Sequence, residues 1–238
     1  MDEPELGVTD LAERLGIANS TVHRLLTTLM SEGFITKDRQ TNLYRLGASI
    51  LALGNIVQSK LRLNEVAQPV LETLVQQSKE TAHVGILKRH DVIYLNKIEC
   101  SHPVRLLSHA GKRNPVHCTS SGQVLLAFQS PQKIEAFLQH RREPYTRKTI
   151  TDRKAFRNLL NRIKKQGYSL SIEELHEGVS SIAAPIRNMN GHVVASVTIA
   201  GPVQRINNHT IPNLIKLVMH AGDEITERLQ LIEKELHL

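Results

Sequence analysis

The sequence predicts an α+β protein with two unequal domains, a small helical one that ends in a hairpin and a larger α/β one built on an antiparallel sheet. Three observations predict it. Two short helical patterns and two β-prone runs fill residues 1–46, an apolar helical stretch occupies residues 47–64, and strands alternate with helices over residues 65–238. Tight turns such as Asn190–Gly191 between strands indicate antiparallel pairing.

Composition narrows the class of partner. The 238-residue chain carries a net charge of +7, which indicates an acidic partner without identifying it. Residues 1–46 hold seven acids against five bases, so any DNA binding there depends on a few placed side chains. Ten Lys and Arg lie within residues 141–165, and we interpret that run as a solvated helix face rather than a second nucleic-acid site.

No run is long and apolar enough to span a membrane, and the N-terminus has no signal-peptide core. The cysteines, Cys100 and Cys118, are therefore expected to be reduced thiols in a cytoplasmic protein.

The run Ile17–Phe34 predicts an amphipathic helix capped by Asn19 or Ser20. Apolar residues recur on one face at i, i+3, i+4 and i+7, and we expect them to face the core together: Val22, Leu25, Leu26, Leu29 and Met30. The opposite face carries hydroxyls, one His and one Arg, which can hydrogen-bond phosphates or base edges. An ordinary surface helix is the alternative for this segment alone.

The neighbours of this helix favour a DNA-reading unit. Thr9–Gly16 predicts a short helix capped by Thr9, so that helix, tight turn and helix follow one another. Phe34–Lys37 and Leu43–Leu46 flank a polar turn and predict a hairpin, the wing of a winged helix-turn-helix. Three of its side chains are expected on the flanking DNA backbone or minor groove: Arg39, Tyr44 and Arg45.

The remaining elements are predicted from periodicity and turn signals. Gly47–Leu63 is expected to be a linker helix, and Asn64–Lys79 a helix capped by Asn64. The final run, Ile211–Leu238, carries an a/d stripe that fits either packing on the sheet or a dimer contact. Further strands and helices are predicted at Thr81–Lys88, Val92–Ile98, Val104–Leu107, Pro131–Gln139, Thr151–Gln166, Tyr168–Ile172, Ser181–Arg187 and His192–Ala200.

Four segments in order carry a resemblance over essentially the whole chain: LAERLGIANSTVHRLLTTLMSEGFI followed by YRLG, PVHCTSSGQVLLA, GYSLSIEELHEGVSSIAAPI and NGHVVASVTIAGP. With them the chain resembles the IclR family of bacterial transcriptional regulators. The resemblance implies a winged helix-turn-helix, a linker helix and a GAF-like effector-binding domain. It also implies a ligand-responsive repressor or activator, dimeric or tetrameric, that binds palindromic promoter DNA and responds to small organic, aromatic or sugar-derived acids.

The resemblance assigns residues to both sites. On the recognition helix it implies DNA contacts from Ser20, Thr21, His23, Arg24 and Thr27. In the second domain it places the effector at a helix N-terminus and on neighbouring segments: Thr119, Ser120, Ser121, Gly122, Ser180, Ser181, Ile182, Thr198 and Ala200. We expect His83, Glu173 and His176 to line the same cavity. A plain helix cap at Ser120 is the alternative.

The resemblance also implies a helix ahead of Val8, where this chain has only seven residues, so that first helix is expected to be missing. One alternative is therefore a small-molecule-binding protein with impaired DNA binding. Another is an enzyme that uses the C-terminal pocket. His117 is adjacent to Cys118 on an extended segment and cannot act as its base, and the Cys and His spacings match no zinc pattern. Catalytic residues, metals and cofactors are thus not expected.

Overall fold

A computed structural model describes residues 5–51, 62–102, 111 and 113–235. The chain divides into two compact units, Met1–Leu61 and Arg62–Leu238. The described part of the first unit contains α1 (Val8–Leu15), α2 (Asn19–Ser31), β1 (Ile35–Lys37) and β2 (Tyr44–Leu46). Residues 48–51 are helical, and residues 52–61 of the predicted linker helix lie outside the described residues.

In both helices of the first unit the N-cap residue lies earlier in the chain than predicted. The N-cap of α1 is Gly7, whose N–H donates to the Asp10 carboxylate over 3.1 Å, so Thr9 lies inside the helix. The N-cap of α2 is Ala18, with extended backbone and no side-chain hydrogen bond. The predicted cap at Asn19 or Ser20 is therefore wrong, and these side chains project from the first turn of α2 instead.

The core of the first unit is smaller than the apolar pattern of α2 predicts. Val22 and Leu26 are buried with Ala12 and Tyr44. The other three apolar residues of that face are 40–48% exposed: Leu25, Leu29 and Met30. Within the described residues α2 packs against α1 and β1, which reach only the side of the helix that carries Val22 and Leu26. The predicted five-residue core face is wrong for those three positions.

The predicted hairpin is confirmed. β1 and β2 pair antiparallel with Thr36 opposite Arg45. The Asp38 carboxylate closes the turn by accepting from the N–H groups of Gln40 and Thr41, at 2.7 and 2.9 Å. These backbone hydrogen bonds lower the pKa of Asp38, because they stabilise its charged form.

The second unit is a layered α/β structure. Its described elements are α3 (Arg62–Ser78), β3 (Thr81–Lys88), β4 (Asp91–Ile98), β5 (Arg113–Pro115), α4 (Ser120–Ala127), α5 (Pro131–Gln139), α6 (Arg153–Gln166), β6 (Ser169–Ile172), β7 (Val179–Arg187), β8 (Val193–Pro202) and α7 (Ile211–Glu235). Within this part, six strands form one antiparallel sheet in the order β5-β4-β3-β8-β7-β6. The predicted strand at Val104–Leu107 lies outside the described residues.

The sheet separates two hydrophobic cores. On one face Val197 and Ile199 pack with α3 and α7, and on the other face Val92 and Tyr94 pack with α4, α5 and α6. Side chains alternate along a strand, so residues on either side of Val197 face α4. The a/d stripe of the final helix lies against the sheet, with Val218, Ile225 and Leu229 buried, so of its two interpretations sheet packing is observed.

Two predicted helix starts in this unit have different outcomes. α3 begins at Arg62, so Asn64 lies inside the helix and does not cap it. α6, predicted over Thr151–Gln166, is capped by Asp152, which accepts from the Ala155 N–H at 2.7 Å. None of the described helices is long and apolar enough to cross a membrane.

Candidate functional site

The outer face of α2 is the first candidate site. Ser20, His23, Arg24 and Thr27 are exposed and Thr21 is half-buried. The helix contains no acidic residue. The Thr27 hydroxyl donates to the His23 carbonyl over 2.9 Å, which occupies its proton but leaves its acceptor capacity. The face therefore presents donors and one cation toward solvent, at a helix N-terminus whose dipole favours negative charge.

The hairpin carries three exposed cations, of which Arg39 and Arg45 belong to the predicted set and Lys37 does not. Arg39 lies at the turn, and Arg45 is exposed on β2, where its Nε donates to Thr36 Oγ1 over 3.3 Å. Tyr44 is only 7% exposed, because alternation along β2 turns its ring into the small core under α2. The expectation that Tyr44 lies on DNA is therefore corrected, and Arg39 and Arg45 remain as the exposed residues of the predicted set.

The N-terminus of α4 is the second candidate site. Thr119 caps the helix, and its Oγ1 accepts from the Gly122 N–H over 3.2 Å. The Ser120 hydroxyl donates to Ser181 Oγ over 2.8 Å. Ser120 is therefore not the cap but the first tie between α4 and the sheet.

Ser121 ties α4 to β8. Its Oγ lies 2.6 Å from Ser196 Oγ and 2.9 Å from Thr198 Oγ1, and all three residues are buried. Gly122 lets α4 lie against the segment that precedes it, since a Cβ there would lie 2.4 Å from the Val116 carbonyl oxygen. Hydroxyl groups from two strands, β7 and β8, thus converge on the first turn of α4.

The sheet brings further predicted residues to the same face. His83 pairs with Thr198 in register, and its ring centroid lies 4.7 Å from that of Tyr94. Ala200 pairs with Ser181 on its other side. We call the following set the hydroxyl cluster, with His83 and Ala200 beside it: Ser120, Ser121, Ser181, Ser196 and Thr198. With Thr119 and Gly122 on the same turn of α4, eight predicted effector residues are therefore brought together.

Other predicted residues lie elsewhere. Ile182 packs in the core beneath α3 and α7, because alternation along β7 sends its side chain away from α4. Ser180 lies on that same side of β7, buried, with no hydrogen-bond partner for its hydroxyl among the described residues. Both residues reach the α4 side only through their backbone.

Glu173 and His176 lie in the connection between β6 and β7. The Glu173 carboxylate forms an ion pair with Lys148 and accepts from the Gly178 N–H over 2.7 Å. Both interactions lower the pKa of Glu173. His176 is exposed. Among the described residues, no hydrogen bond or ion pair joins either side chain to the hydroxyl cluster.

Sequence reasoning missed Glu174, which is buried beside α4. Its Oε2 accepts from Gln123 Nε2 over 2.9 Å, while the Ser169 hydroxyl donates to Gln123 Oε1 over 2.7 Å. Burial raises the pKa of Glu174 to about 7, against the opposing effect of its hydrogen bonds. A polar Gln inside the otherwise apolar QVLLA run was the sequence signal that a buried polar partner lay opposite.

Cys118 and His117 show no catalytic pairing. Burial raises the pKa of the Cys118 thiol to about 12, so it is protonated at neutral pH. His117 Nε2 lies 2.9 Å from the Glu143 carbonyl oxygen. Within the part of the chain that the structure describes, no three His, Cys, Asp or Glu side chains are grouped as metal ligands.

Comparison with known proteins identifies both units. The profile of the IclR helix-turn-helix domain matches residues 2–39, and that of the bacterial transcriptional regulator IclR C-terminal domain matches residues 56–227. The HTH-type transcriptional regulator XynR of Escherichia coli is 30% identical over 219 residues, covering 92% of this chain and 87% of XynR. BhcR of Paracoccus denitrificans is 33% identical over 222 residues, covering 93% of this chain and 80% of BhcR.

A solved structure agrees in fold. The crystal structure of an IclR homolog from Microbacterium hydrocarbonoxydans, complexed with 4-hydroxybenzoate, has a TM-score of 0.84 and 27% identity. The alignment covers 97% of this chain and 94% of that one. The chain thus belongs to the IclR family, and it is a DNA-binding transcriptional regulator with an N-terminal helix-turn-helix and a C-terminal effector-binding domain.

Proposed function

We propose that this regulator binds a palindromic promoter site as a homodimer or homotetramer, and that a small carboxylate bound at the hydroxyl cluster changes its affinity for that site. The observation that carries the DNA half is the outer face of α2, exposed, without acids, and bearing Arg24 among hydroxyls. Because DNA is the target, the protein acts in the cytoplasm.

On DNA, Ser20 and Thr21 suit phosphate oxygens, since they lie in the first turn of α2, where the helix dipole favours negative charge. Arg24 lies one turn further along and is the candidate for a bidentate contact with guanine. His23 and Thr27 complete the face, while Arg39 and Arg45 suit the flanking backbone. A few placed contacts fit a unit whose first 46 residues carry more acids than bases.

The effector half is supported by the chemistry of the second site. Hydroxyls accept and donate without adding charge, and the N-terminus of α4 supplies a positive dipole end, a combination that suits a carboxylate with hydroxyl or ring substituents. 4-Hydroxybenzoate, with which the relative from Microbacterium hydrocarbonoxydans was crystallised, is an example of such a ligand. Arg and Lys side chains are absent from the hydroxyl cluster, so orientation comes from hydrogen bonds rather than an ion pair.

Regulation then requires only that the effector bind one arrangement of the DNA-binding units better than another. Turnover is not part of this proposal. The protonated Cys118 and the carbonyl-bound His117 provide no activated nucleophile. Cys118 and His117 therefore do not support the enzyme alternative.

Fluorescence anisotropy on the DNA upstream of the protein's own coding region tests both halves. We expect binding that is at least tenfold tighter than to a random duplex, and a shift of that affinity by 4-hydroxybenzoate or another carboxylate from a metabolite panel. Ser181→Ala should keep DNA affinity and reduce the effector response, while Lys216→Gln, on α7 across the sheet, should change neither. Equal affinity for both duplexes would refute the DNA half, and consumption of the effector would favour the enzyme alternative.

A further inference from the structure

A cavity separate from the hydroxyl cluster opens at the other end of α4. Its volume is about 370 Å³, within the range of small-ligand pockets. The floor is apolar and comes from four elements, with Leu87 on β3, Leu125 on α4, Phe137 on α5 and Val193 on β8. Such a floor can hold the ring or chain of a small molecule out of water.

The cavity is displaced from the first site along α4. Leu125 follows Ser121 by four residues, which corresponds to about 6 Å of helix rise. Leu87 likewise lies two residues beyond Gly85, the position on β3 that approaches the Ser121 hydroxyl. The two sites thus lie on the same face of the sheet but are lined by different side chains.

The rim of the cavity is cationic. Arg89 is exposed at the β3–β4 turn with φ +57°, and Lys133 is exposed in the first turn of α5, with Nζ 3.3 Å from Gln129 Oε1. His90 also lies on the rim, and its ring contacts those of Phe137 and His140 at centroid distances of 5.6 and 4.4 Å. No acidic side chain is among the described residues that line the cavity. Bases above an apolar floor complement an anion that carries an apolar body.

We infer that this cavity is a second ligand site, which takes a small carboxylate with an aromatic or aliphatic body. The body lies on Leu87, Leu125, Phe137 and Val193, and the carboxylate meets Arg89 and Lys133. The inference does not depend on the first site, because no residue of the hydroxyl cluster lines this cavity.

Methyl NMR of the full-length protein with labelled Leu and Val side chains tests this inference, with benzoate as the probe. We expect saturable shifts at Leu87, Leu125 and Val193, and much smaller shifts with neutral benzamide at the same concentration. Val116, which lies against Gly122, reports separately on the first site. Shifts at the three cavity methyls with or without shifts at Val116 support a separate site.

Variants that remove one charge test whether Lys133 and Arg89 bind the carboxylate. Lys133→Gln and Arg89→Gln should each weaken benzoate binding at the cavity methyls about two- to fivefold, the effect of one partly exposed ion pair. Lys216→Gln, on the opposite side of the sheet, should leave it unchanged, and Ala136→Phe should fill the opening and abolish it. The inference is overturned if only Val116 shifts, if benzamide binds equally well, or if neither charge variant matters. It is also overturned if the cavity methyls shift with protein concentration alone, since a second copy of the chain would then occupy the cavity.

Discussion

Two helix N-termini in this molecule have similar sequences and opposite surroundings. α2 opens with Asn19, Ser20 and Thr21, and only two residues of the whole helix are buried. α4 opens with Ser120 and Ser121 after the Thr119 cap, and all eight of its residues are buried. The same kind of hydroxyl therefore faces solvent in the first case and ties a helix to a sheet in the second.

The flanking residues explain the difference. α4 continues as the apolar run Val124–Ala127, which has no solvated side and must be enclosed. α2 alternates apolar and polar residues, so one side remains in water. Gly122 adds the close approach that α2 lacks, since its missing Cβ lets the helix rest on Val116. Burial, rather than the presence of hydroxyls, therefore distinguishes a helix start that hydrogen-bonds to the sheet from one that is exposed to solvent.

Among the substitutions that test this comparison, Gly122→Ala is expected to have the largest effect. The new Cβ would lie 2.4 Å from the Val116 carbonyl oxygen and 2.8 Å from Thr119 Oγ1, so α4 must move away from Val116. We expect a loss of about 3 kcal/mol in the free energy of unfolding, as for other overpacked cores, measured by urea denaturation. Gly16→Ala is the matched control, because it strains a residue with φ +66° and meets no neighbour within 4 Å. It should cost about 1 kcal/mol. A larger loss in the control would contradict the close-approach argument.

Arg24→Ala tests the exposed helix. If Arg24 makes a bidentate contact with guanine, its loss should reduce discrimination between operator and random DNA by about 1–3 kcal/mol. The affinity for the random duplex should fall less than the affinity for the operator. Arg24→Lys separates charge from geometry, since lysine keeps the cation without the two-pronged donor. It should hold random-duplex affinity near the wild-type value and still lose discrimination. Competitive anisotropy titrations measure both, and equal losses on the two duplexes would assign Arg24 to phosphate.

Glu174→Gln tests the buried surroundings of α4 through the pH dependence of the free energy of unfolding. The folded pKa of about 7 exceeds the ordinary value of 4.5, so the stability that this carboxyl contributes is present below about pH 4.5 and is lost as the pH rises through 7. From about pH 5.5 to 8 the wild type should therefore lose about 2 kcal/mol of unfolding free energy that the neutral glutamine variant keeps.

The neighbouring carboxylate provides the control for that experiment. Glu173 has a lowered pKa, because Lys148 and the Gly178 N–H stabilise its charge, so it stays ionised over the same interval. Glu173→Gln should keep the wild-type pH slope. Urea denaturation at about pH 5.5 and pH 8 measures these changes in unfolding free energy. If wild type and Glu174→Gln changed equally with pH, Glu174 would not be the group that causes the pH dependence.

Elements and sheet type were predictable because their signals are local. Period-two runs with tight turns gave the antiparallel sheet, and two β-prone runs around Asp38–Asn42 gave the hairpin. The cap of α4 is not decided by local sequence, because Thr119 and Ser120 are chemically alike and only the fold assigns their partners. Ser120 and Ser121 find those partners 61, 75 and 77 residues away in sequence, at distances no local pattern encodes.

The same reason explains why the burial of α2 and the placement of Glu173 differ from expectation. The apolar side of α2 predicts which residues share a face, but the packed neighbours decide how much of that face is covered, and Leu25, Leu29 and Met30 remain exposed. Adjacent acids in the β6–β7 connection likewise look equivalent in sequence. The backbone gives Glu173 φ +57° and turns its carboxylate toward Lys148, while Glu174 is enclosed against Gln123.

The most direct test of the difference between the two helix N-termini removes one hydroxyl from each. Ser121→Ala removes a partner of the buried Ser196 and Thr198 hydroxyls, so we expect a loss of about 1 kcal/mol in stability with DNA affinity unchanged in the absence of effector. Ser20→Ala removes an exposed hydroxyl, so stability should stay within about 0.5 kcal/mol while affinity falls equally for operator and random duplex. Urea denaturation and anisotropy on both variants complete the four measurements. If Ser20→Ala destabilised the fold as much as Ser121→Ala, exposure would not be what distinguishes the two helix N-termini.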